Sequence, residues 1–98
     1  NKALEGYRLL LKINSSNADA HYNMGYIKLT MQEEIDSALY YFNNVIDINP
    51  LHHGAYYNIG YCHELKGDEK LAIANYKATL KLRPDFDLAA RGLERLLD

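Results

Sequence analysis

The chain has 98 residues, 48% of them hydrophobic, which is enough for one ordinary domain with a buried core. Its 11 basic and 13 acidic side chains nearly cancel, leaving a net charge of −2, so no strong field draws it to nucleic acid or to an anionic membrane surface. A single cysteine, Cys62, has no second thiol for an internal disulfide, and no run of about 18 apolar residues is present to span a bilayer as a helix.

A period of 34 to 35 residues organises the chain, and a fixed period of this size marks a stacked-repeat architecture. The first segment, near residues 2 to 13, carries Ala3, Tyr7, Leu11 and Ile13, which lie 35 residues ahead of Ala38, Phe42, Ile46 and Ile48. It is expected to be the second half of a preceding unit. Ser16-Asn17-Ala18-Asp19 resembles a capping box and opens a helix near 18 to 31. A helix near 35 to 48 follows, with Ala38, Leu39, Phe42, Val45 and Ile46 at three- and four-residue steps, and Pro50 closes the unit. Tyr22-Asn23-Met24-Gly25-Tyr26 then returns as Tyr57-Asn58-Ile59-Gly60-Tyr61, 35 residues on and four of five identical, in a helix near 53 to 66. Gly67-Asp68 suits a left-handed helix end followed by an N-cap. In the helix near 69 to 82, Ala72, Tyr76, Leu80 and Leu82 repeat Ala38, Phe42, Ile46 and Ile48 at an offset of 34, and Pro84 repeats Pro50. The change of offset places one extra residue within Met31–Glu34. A last helix is expected near 86 to 97.

Those residues resemble the tetratricopeptide repeat, whose pattern combines a large aromatic, a Leu-Gly pair, a small Ala, an aromatic and a closing Pro. Tyr56, Ile59-Gly60, Ala72, Tyr76 and Pro84 match it in one unit, and Met24-Gly25, Ala38, Phe42 and Pro50 in the other. Departures are His21, Lys28, His63 and Thr79. The resemblance implies an all-α fold, a right-handed superhelical solenoid of antiparallel helix hairpins with about six helices. Residues 1–98 form one domain: 1–17 the second half of a preceding repeat, 18–52 and 53–86 two full repeats, and 87–98 a C-terminal capping helix. It further implies that the first helix of each hairpin lines a concave face, where Tyr22, Asn23, Tyr26, Tyr57, Asn58 and Tyr61 would meet a peptide, with Arg91 closing the row. The basic clamp by which some family members hold chaperone C-terminal carboxylates is missing, since tyrosines stand where its lysines would.

The function read from the resemblance is a scaffold for protein–protein interaction, with a protein or peptide as partner. The alternative is a structural spacer or self-association segment with an empty groove, the self-association running through the apolar stripe of residues 2 to 13. Neither nucleic acid nor membrane is an expected partner, and no cofactor is implied. His52, His53 and His63 lack a recognised metal-ligand spacing, and no phosphate loop, nucleophile elbow or zinc-protease motif supports an enzyme. The chain starts at Asn1 without a methionine or a leader and reads as an excised piece, so its compartment is not encoded here.

Overall fold

The computed structural model describes residues 17–98; the helix expected near 2 to 13 lies outside them. Every regular element among the described residues is an α-helix. Two compact units make up the chain, Asn1–Pro50 and Leu51–Asp98.

In the first unit, helix α1 (Ala18–Thr30) and helix α2 (Ile35–Ile48) form a hairpin. Asn17 starts α1, its Oδ1 accepting a hydrogen bond from the Ala20 N–H at 3.0 Å, which satisfies one of the unpaired donors of the first turn. Ala20, Met24 and Ile27 of α1 and Ala38, Leu39, Phe42 and Val45 of α2 are buried. Gly25 lets the two helices close: a β-carbon there would lie 2.8 Å from Phe42 Cε1, inside contact distance.

The extra residue is absorbed in the α1–α2 connection, Met31–Glu34, where Glu33 takes the left-handed φ of 53°. Lys28 stands at a position where the repeat favours an aromatic. It is only 8% exposed, and its Nζ reaches Glu34 Oε2 at 3.1 Å across the loop. The apolar stem fills the space while the ammonium finds a carboxylate at the edge.

The second unit holds helices α3 (His53–Lys66), α4 (Glu69–Leu82) and α5 (Asp87–Leu97). His52 opens α3, its Nδ1 accepting from the Ala55 N–H at 3.0 Å, which requires the proton of the neutral ring to sit on Nε2. Gly67 ends α3 with φ 81°, while the Asp68 N–H donates to the His63 carbonyl at 2.8 Å, the usual way of satisfying a last turn. Asp68 occupies the N-cap of α4 but makes no side-chain cap hydrogen bond. Thr79, which replaces an expected small residue, is fully buried and donates its hydroxyl to the Asn75 carbonyl at 2.9 Å, so it leaves no unpaired polar atom.

Tyr76 is the centre of this unit. A β-carbon on Gly60 of α3 would lie 2.9 Å from one edge of its ring, and one on Gly92 of α5 would lie 2.5 Å from the other. The ring is thus held between two bare α-carbons and is 0% exposed.

Gly60→Leu and Gly92→Leu should each overpack this ring and lower stability by about 1–3 kcal/mol, as read by urea denaturation. Gly67→Ala should cost about 1 kcal/mol for a different reason, the left-handed backbone at an open position. Glu33→Gly should act in the opposite direction and stabilise by up to about 1 kcal/mol, because relief of the left-handed strain exceeds the added freedom of the unfolded glycine.

Candidate functional site

Tyr22, Asn23 and Tyr26 all lie on α1. Tyr22 is half-buried and meets Phe42 edge-on, with ring centroids 5.6 Å apart and an interplanar angle of 60°; the ring that covers Gly25 therefore also supports this tyrosine. Asn23 is half-buried. Tyr26, one turn further along, is 51% exposed, an unusual expense of apolar surface for a side chain of that size.

Tyr57, Asn58 and Tyr61 lie on α3. The rings of Tyr57 and Tyr61 are nearly parallel, 6.3 Å apart at 15°. Tyr57 also packs against Tyr76 at 5.7 Å and Phe86 at 5.3 Å, and Phe86 meets His53 edge-on at 5.4 Å. The result is a continuous aromatic ladder, supported from below by the buried Tyr76 and half-open above. Burial raises the Tyr57 hydroxyl pKa, with the neighbouring Tyr61 adding to the effect, so this group stays neutral and a hydrogen-bond donor through the physiological range.

Two of the expected residues are engaged locally. Asn58 is only 6% exposed, and its Nδ2 donates to the Gly54 carbonyl at 3.0 Å. Arg91 is exposed and pairs through Nε with Asp87 Oδ2 at 2.8 Å, one turn back on α5, a surface pair of small energetic weight.

Sequence reasoning did not find the polar group behind the ladder. Tyr76 Oη donates to Glu64 Oε1 at 2.6 Å, and Arg95 grips the same carboxylate with two hydrogen bonds, Nη2 to Oε1 at 2.8 Å and Nε to Oε2 at 2.9 Å. The Arg95 guanidinium, and after it the Tyr76 hydroxyl, hold the Glu64 carboxyl below its ordinary range. Tyr76 is pushed well up by burial and by Glu64. These residues are 12 and 31 positions apart from Glu64, and no local spacing joins them. Phe86 and His53 entered the ladder equally unannounced, though Phe86 directly follows the closing Pro84-Asp85. His52 and His53 stack at 6.5 Å and 29°, and His52 Nδ1 is committed to capping α3. Among the described residues no three His, Cys, Asp or Glu side chains are grouped to hold a metal ion, and no helix is long and apolar enough to cross a membrane.

Glu64→Leu should cost about 1–3 kcal/mol by leaving the buried Tyr76 hydroxyl without its acceptor. Glu64→Gln keeps an acceptor and should cost less than half of that in the same urea titration. The pH profile follows from the directions of the shifts. The depressed Glu64 adds stability above about pH 4.3 that is lost as pH falls through the lower folded value. Buried Cys62, pushed up to about 11, stays protonated in the fold while the unfolded thiol ionises near pH 8.5, so its contribution is fully present below that pH and is lost above it. Melting temperatures across pH 3 to 10 should fall at both ends, and Cys62→Ala should remove the onset of the alkaline fall.

Residues 53–86 match the model of the tetratricopeptide repeat. The human protein O-mannosyl-transferase TMTC3 is 29% identical over 91 residues, covering 93% of this chain and 10% of that protein. The crystal structure of MamA protein superposes with a TM-score of 0.91 at 25% identity, over 98% of this chain and 52% of that one. The Arabidopsis OM64 TPR domain also reaches 0.91, at 26% identity, over 98% of this chain and 78% of its own. The chain therefore spans 10% of the curated relative and about half of the MamA chain.

Proposed function

We propose that this chain, a tetratricopeptide-repeat chain with the all-helical solenoid fold of that family, is an interaction scaffold that takes a peptide segment of a partner protein against the tyrosines of α3, with the tyrosines of α1 a like surface within the first unit. The observation that carries the reading is the Tyr57–Tyr61 stack, anchored by Phe86 and Tyr76. Rings already held in place lose little freedom on binding, and tyrosine combines a broad apolar face with a polar tip. Tyr26, with half its surface open, offers the same chemistry on α1, and Tyr22 and Asn23 flank it.

Asn23, half-buried on α1, is assigned to the ligand main chain. Asn58, buried and donating through Nδ2 to Gly54, serves its own helix. The local partners of Asn58 and Arg91 favour the spacer reading at those two positions, so the tyrosines are the expected hot spots. None of the six side chains on α1 and α3 carries a charge, and the Arg91 charge is met by Asp87; binding should depend weakly on salt. The reading includes no catalytic step.

Peptides selected from a displayed random library against the 98-residue chain supply the probe, and calorimetric titration the measurement. Tyr26→Ala with Tyr61→Ala should weaken binding by roughly 2 kcal/mol or more, with helix content unchanged. Affinity that survives this double variant but is lost in Tyr40→Ala with Leu71→Ala, on exposed positions of α2 and α4, would move the site to the second helices.

A further inference from the structure

Helices α2 and α4 hold the same place in the two repeats, 34 residues apart. Both bury the same face, Ala38 and Phe42 in one and Ala72 and Tyr76 in the other, so both expose the same positions. On α2 the exposed stripe is Asp36, Tyr40, Asn43 and Asp47, at i, i+4, i+7 and i+11, which is one line along a helix. On α4 the same positions are Lys70, Ala74, Lys77 and Lys81, all exposed. The stripe is acidic at both ends of α2 and basic at both ends of α4. Helix α2 as a whole carries Asp36 and Asp47 and no Lys or Arg, whereas α4 sets three Lys against Glu69.

The two stripes also differ in shape. Tyr40 is 63% exposed, and its ring stands edge-on to Tyr41 at 5.1 Å and 78°, so it projects from α2 in a supported position. Its counterpart Ala74 leaves α4 bare at the same place. Beside Tyr40 an open cavity of about 280 Å³ is lined by Asn44, Asp47 and Ile48, and by His21 of α1. Tyr40 and Ile48 flank the path of a lysine stem, while Asp47 and the Asn44 amide meet its ammonium. We infer that the outward stripe of α2 is a docking surface for the outward stripe of α4 on a second copy of this chain. Opposite charges stand at both ends, so the match holds whichever way the two helices run. A contact of one helix pair belongs with the small, transient interfaces, in which charge decides the partner. It uses none of the tyrosines of α1 and α3 and does not rest on the function proposed for them.

Sedimentation of the full 98-residue chain over a concentration series, at about 0.05 M and about 0.5 M salt, tests this. The parent should associate at low salt and dissociate at high salt. Asp36→Lys with Asp47→Lys should weaken association about tenfold or more, as should Lys70→Glu with Lys81→Glu, because each sets like charges face to face. An equimolar mixture of the two reversed variants should regain it, since both cross-contacts then join opposite charges. Tyr40→Ala should weaken association, and Tyr26→Ala with Tyr61→Ala should leave it unchanged. A monomeric parent at low salt, association that survives high salt, either reversal or Tyr40→Ala, or a mixture no tighter than its parts would overturn the proposal. So would association lost with Tyr26 and Tyr61, which places the contact on the first helices. Should a reversed variant lose helix content by circular dichroism, the milder Asp47→Asn and Lys81→Gln replace it, and unchanged association in both overturns the proposal.

Discussion

A flat aromatic ring laid on a bare α-carbon sets the spacing of both hairpins. Phe42 on Gly25 and Tyr76 on Gly60 bring paired helices closer than any side chain at the glycine would allow, and the small Ala38 and Ala72 serve the same closeness from the facing helix. In the second unit the consequence extends further. Enclosing Tyr76 completely buries a hydroxyl that must then be hydrogen-bonded, and Glu64 accepts from it. A carboxylate at that depth is best held by a fixed cation, and the planar fork of Arg95 supplies two parallel bonds. The packing of one ring thus explains why α5 is tied to α3 by an ion pair as well as by apolar contact.

The two hairpins solve the same closure with different connections. In the second, Gly67 makes a tight left-handed exit and α4 begins two residues later. In the first, α1 stops at Thr30 and α2 starts at Ile35, and a non-glycine residue, Glu33, carries the left-handed backbone. The Lys28–Glu34 pair spans that longer connection. One inserted residue therefore changes the loop chemistry while the Gly25–Phe42 crossing keeps its geometry.

The aromatic ladder is continuous with the core of the second unit. Tyr57 leans on the buried Tyr76 and presents its ring beside Tyr61. Asn58 is likewise buried and bonded within α3.

The sequence alone determined what depends on neighbours along the chain. Helices expected near 18 to 31, 35 to 48, 53 to 66, 69 to 82 and 86 to 97 are observed as Ala18–Thr30, Ile35–Ile48, His53–Lys66, Glu69–Leu82 and Asp87–Leu97, because periodic burial, capping and breakers act over a few residues. Gly25 with Phe42 and Gly60 with Tyr76 recur in the repeat and were visible twice for the same reason, while the seating of each ring on its glycine was decided in space. Tertiary structure decided the rest. The second seat of Tyr76 against Gly92, the Glu64–Arg95 grip, the entry of Phe86 and His53 into the ladder and the burial of Asn58 all depend on which faces of three helices meet. Interactions across 12 to 31 residues leave no periodic trace, since each occurs once and is fixed by distance in space, not along the chain.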